Sequence, residues 1–177
     1  MDNKVVVIRT DGTVSVETVS SPDKTFEESK GFIGCSWLDH FVVQEFPNRV
    51  YLEALCNDDG YAEYNKNPAK VNKIATYLYN GGAESHFIFG DIVLCLSVPG
   101  DDGQEFVPLG EEGANAVKDM TIEKVIPLAN EKVIVPNEIP DPIVKTSTFE
   151  TIDDLFKAMK GDKSAKPVSE ETFPREG

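Results

Sequence analysis

Three cysteines and two histidines are the side chains in this sequence best suited to chemistry, and their spacing decides how far that suitability goes. Cys35 with His40, and Cys56, His86 and Cys95 further on, are residue types that hold zinc. No Cys-x-x-Cys or His-x-x-x-His pair occurs, so no compact ligand pair is present. A thiol nucleophile with His40 or His86 as base requires a proximity that sequence does not encode. The cysteines are odd in number and lie in apolar contexts, which reads as buried free thiols in a reducing cytoplasm. Asp58-Asp59-Gly60 and Asp101-Asp102-Gly103 look like the starts of calcium loops, yet lack the alternating oxygen ligands and the closing glutamate. They read as turns. Paired carboxylates are too frequent to single any out, and there is no glycine-rich phosphate loop. The sequence therefore names no catalytic residue, no metal and no cofactor, and the chain reads as non-enzymatic.

One stretch offers binding chemistry. Asn67-Pro68 precedes Val71, Ile74, Ala75 and Leu78, which fall at helical spacing, and Gly81-Gly82 follow. Asparagine as cap, proline at the first helical position and glycine at the exit predict a central helix over this region. Asn72 falls within it, where a carboxamide serves either as a structural hydrogen-bonding group or as a ligand contact. In the second reading Asn67, Asn72, Arg49 and Tyr51 surround a cleft at the helix start, suited to a small anion or a nucleotide. The run Phe87 to Leu96 is too uniformly apolar for an exposed strand and predicts a buried central one against which the helix packs.

The remaining elements give the helix its setting. Lys4 to Arg9 and Thr13 to Val19 form a hairpin about Thr10-Asp11-Gly12, and Pro22 to Lys30 form a short acidic helix ended by Gly31. Phe41 to Phe46 and Val50 to Cys56 read as strands, Glu105 to Pro108 as a short returning strand, and Gly110 to Met120 as a glycine-weakened helix. Ile122, Val125, Ile126, Leu128, Val133, Ile134 and Val135 read as two β-like segments, followed by a Pro136/Pro140/Pro142 linker. The expected fold is α+β, a mixed or antiparallel sheet of about five to seven strands with one central helix packed on it. The expected divisions are a core over 1–120, a β-rich extension and linker over 121–147, an amphipathic helix over 148–160 and a disordered tail over 161–177.

That last helix carries Ile152, Leu155, Phe156 and Met159 on one stripe, after a stiff spacer, as in recognition of a helix by a groove. The alternative is that it packs back on its own domain. Ile152-Asp153-Asp154-Leu155-Phe156 also resembles the short peptides with which replication proteins dock on sliding clamps, without their leading glutamine.

Net charge is −14. Fourteen acids face eight bases through Val98, and seventeen face nine thereafter, so the excess is spread evenly. Such a distribution is that of a solvated surface, or of a DNA mimic whose carboxylates stand in for phosphates. Without a basic stripe, direct binding of nucleic acid is disfavoured. No run of eighteen apolar residues and no charged-then-apolar opening occurs, so neither a membrane span nor a signal peptide is expected.

Val5-Val6-Val7-Ile8-Arg9-Thr10-Asp11-Gly12-Thr13, the acidic turn Asn57-Asp58-Asp59-Gly60, Asn72 ahead of Ala75-Thr76, and Gly90-Asp91 before Ile92-Val93 occur in a telling order. Over roughly Met1 to Val117 this order resembles a domain family of unknown function from phages and mobile elements of Gram-positive bacteria. The family's basic pair after the helix asparagine is here Lys73-Ile74. The resemblance implies a small accessory protein in the cytoplasm of a bacterial host. It would bind a host or phage protein, in counter-defence or by DNA mimicry, with sequestration of a nucleotide signal as the alternative. An enzyme with an unrecognised site is the third reading.

Overall fold

The alternation in the first twenty residues produces the expected hairpin. The computed structural model describes residues 3–64, 66–82 and 86–140, together with the strand segments 147–149 and 167–170. Strand β1 (Lys4–Ile8) pairs antiparallel with β2 (Val14–Thr18), with Gly12 at φ 87° in the turn and its amide donating to the Arg9 carbonyl at 2.9 Å. Val5 to Ile8 are all fully buried, so β1 is covered on both faces.

Strands β3 (Leu38–Phe46), β4 (Val50–Asn57), β5 (Ile92–Gly100) and β6 (Gly103–Val107) complete a six-stranded, wholly antiparallel sheet. Its order is β2-β1-β5-β4-β3, and β6 pairs with β5 as well. The fold is α+β, as the run of elements predicts.

Both faces of the sheet are buried, unequally. Helix α1 (Thr25–Ile33) covers one face, where Val5, Val7, Leu55, Val93 and Cys95 meet Ile33 and Phe26. Gly31 lies inside this helix rather than at its end; Gly34, at φ 77°, is the residue whose left-handed conformation stops it. A one-turn helix, α2 (Gly60–Glu63), follows β4. The other face receives α3 (Lys73–Asn80), α4 (Glu111–Met120) and α5 (Ile126–Lys132), whose Ile74, Ala75, Ala114 and Ala129 pack on Val6, Ile8, Leu52, Ala54, Ile92 and Leu94. The central helix thus lies against the buried strand, in the company of two more. It starts later than its local signals suggest. Asn67 caps only a 3-10 turn (Pro68–Lys70), Val71 leaves the helix to bridge Phe89, and α3 begins at Lys73 with Asn72 as its cap.

Residues 121–132 correct the expected β-rich extension. They are helical: a π-helical turn (Thr121–Val125) joins α4 to α5. Val117, Thr121, Val125, Ala129 and Val133 recur every four residues, and the last four are buried. In an ideal α-helix a four-residue repeat drifts by about 40° per step, which the wider π turn takes up, keeping the stripe on the sheet. Pro127, without an amide hydrogen, falls where the ladder is already altered. Burial of that stripe outweighs the β preference of the isoleucines and valines.

Contacts divide the chain into two units, Met1–Ile139 and Pro140–Glu176. In the second, β7 (Ser147–Phe149) pairs antiparallel with β8 (Pro167–Glu170). Thr148 is therefore in a strand, not at the start of a helix, and 167–170 is ordered pairing rather than tail. Ile152, Leu155, Phe156 and Met159 lie outside the described residues.

Candidate functional site

Asn72, Thr76, Gly90 and Asp91 meet where the β1–β2 turn, the start of α3 and the approach to β5 come together. Asn72 is fully buried. Its Oδ1 accepts from the Ala75 amide at 3.0 Å, and its Nδ2 donates to the carbonyls of Ile8 at 3.1 Å and Gly90 at 3.0 Å. Its own amide donates to Ile88 at 2.8 Å. The Thr76 hydroxyl donates to the Asn72 carbonyl at 2.8 Å and accepts from the Ile88 amide at 3.0 Å. Asp91 Oδ1 accepts from the Thr10 amide at 3.0 Å. Gly90 adopts φ 83°, and a Cβ there would stand 2.9 Å from the Tyr64 ring, so both its conformation and its lack of a side chain are used. Asn72, Thr76, Gly90 and Asp91 are struts of this network.

A cleft of about 320 Å³ opens beside this knot, lined by Arg9, Thr10, Asp11, Gly12, Asn72, Lys73, Ile74, Ile126 and Asn130. Of the four amides at the start of α3, the cap arrangement engages those of Asn72 and Ala75, and those of Lys73 and Ile74 have no acceptor within the helix. Arg9 is engaged along β2, donating to Ser15 Oγ at 2.7 Å and to Glu17 Oε1 at 3.4 Å. Asp11 accepts from the Thr13 amide and hydroxyl, which hold its carboxyl below the usual range.

The four residues expected to form one cleft do not. Asn72 contributes to its wall, but its carboxamide is engaged inward. Asn67 is exposed and accepts from the Ala69 amide at 3.0 Å in its own turn. Tyr51 pairs with Ser97 and Arg49 precedes it in the β3–β4 turn, whereas Asn72 bonds to Ile8, which pairs with Ile92. Five residues of β5, about 17 Å, separate those two levels of the sheet. Strand order, which no local pattern encodes, sends Arg49 and Tyr51 to the far end. Arg9, Lys73 and Asn130 were missed for the same reason; the Asp11-Gly12 turn signal marked the hairpin without saying what it would face.

A second polar cluster lies on the α1 face. Glu53 is buried at 4% exposure in β4, with its Oε1 2.8 Å from Nδ1 of the half-exposed His40. The His40 ring meets Phe106 edge-on at 5.2 Å, and Phe106 stacks on Phe26 at 5.3 Å. A carboxylate orienting an imidazole is half of a hydrolytic triad. The nucleophile half does not assemble. Cys95, opposite Glu53, is fully buried, and desolvation together with the Glu53 charge drives its thiol up, away from the reactive thiolate. Ser97 is equally buried and its hydroxyl has no hydrogen-bond partner. Cys56 is pushed up to about 12 by burial, then by the charges of Asp39 and Asp58. Among the described residues no cluster of three or more His, Cys, Asp or Glu could hold a metal ion. None of their helices is long and apolar enough to cross a membrane.

No family model, curated protein or solved structure matches the chain.

Proposed function

We propose that this protein acts by binding another protein rather than by catalysis. The observation that carries this reading is Trp37: the single tryptophan of the chain stands 68% exposed at the entry to β3. A tryptophan normally contributes its large apolar area to a core, and tryptophan is the residue type most enriched as an anchor in protein interfaces. The polar groups that could have formed a reaction centre are engaged in structure instead, as Asn72 and Glu53 are. The resemblance to a phage and mobile-element family supports an accessory role in the bacterial cytoplasm. The net charge of −14 favours a basic partner, as a counter-defence factor or DNA mimic requires. Immobilised full-length chain is expected to capture a stoichiometric, salt-sensitive partner from bacterial lysate, and Trp37→Ala to lower its recovery. Lysate that yields no partner above background overturns the reading.

A second reading rests on the cleft beside α3, where the amides of Lys73 and Ile74 and the Lys73 side chain suit a small anion or a nucleotide signal. Calorimetry with nucleotides and cyclic dinucleotides tests it. A saturable heat that Lys73→Glu abolishes is the expected result, and no heat from any of them removes it.

A further inference from the structure

We draw no further inference here: the strongest candidate, the exposed apolar patch of Trp37 and Val42 along the outer edge of β3, carries none, because the bulge between Val42 and Gln44 and the Asp39 carboxylate on the His40 amide obstruct an added strand and nothing in the structure shows what covers it.

Discussion

Asn72 Nδ2 donates to the carbonyl of Ile8 at 3.1 Å across 64 residues of chain, tying the start of α3 to the end of β1. The same nitrogen holds Gly90, so one carboxamide joins three segments. Asn72→Ala removes a helix cap worth about 1 kcal/mol and leaves two buried carbonyls short of a donor, at about 1–3 kcal/mol each. The expected loss is about 3 kcal/mol or more in urea unfolding. Asn72→Ser, able to cap Ala75 but not to reach both carbonyls, is expected to fall between.

His40 is the observed partner of the buried Glu53 carboxylate. His40→Ala is expected to destabilise by about 1–2 kcal/mol, reduced from a fully buried pair because the histidine is half-exposed. Adding Glu53→Met, which removes the carboxylate at similar volume, is expected to recover most of that loss. Denaturation of the two single variants and the double measures the coupling.

The three thiols differ in access. Cys35 is only partly buried, while Cys56 and Cys95 are enclosed and all three are raised by desolvation. A thiol reagent at pH 8 is expected to label Cys35 first, and the other two only once denaturant opens the core. Labelling of all three at one rate in the folded protein contradicts this.

Asp11, Asp23 and Glu28 have carboxyls below their ordinary values of 3.8, 3.8 and 4.5. The Thr13 amide and hydroxyl are the cause for Asp11, the Ser21 hydroxyl for Asp23, and the Ser20 hydroxyl and amide for Glu28. A depressed folded value contributes stability that is present above the unfolded value and is lost as pH falls through the folded one. Thermal melts are expected to stay level from neutral pH to about 5 and to decline below about 4. Asp11→Asn is expected to lower the neutral plateau and flatten part of that decline.

Arg49 sits at φ 59° beside Asn48 at φ 64° in the β3–β4 turn. A left-handed conformation costs a non-glycine residue about 1–2 kcal/mol. The hydrogen bond that Gln104 makes here is to the Arg49 carbonyl, at 3.0 Å, and survives any side chain. Arg49→Gly is therefore expected to raise the midpoint of thermal unfolding.

Local pattern made much of the fold legible. The β1–β2 hairpin follows from alternation and Asp-Gly, β3 and β4 from their β-branched runs, and α4 from Gly110 to Met120. The Val71/Ile74/Ala75/Leu78 stripe placed α3 on the sheet, although Val71 itself lies outside the helix and bridges Phe89. Residues 121–132 were misread because isoleucine and valine favour strands in isolation, while the deciding signal was the four-residue recurrence of Val117, Thr121, Val125, Ala129 and Val133. The site was less legible. Asn72 was marked as structural or ligand-binding, and only its three partners, from segments far apart in sequence, decide for structure.

By itself, then, the sequence determined which segments are strands and helices over most of the first 120 residues, and a surface with a net charge of −14. Those properties depend on neighbours a few residues away and on composition. The tertiary structure alone decided the strand order β2-β1-β5-β4-β3, which parts Arg49 and Tyr51 from Asn72 and, among the described residues, gives β3 a strand neighbour on one side. Strand order is fixed by which faces bury the most apolar surface together, a property of the whole chain that no local window contains.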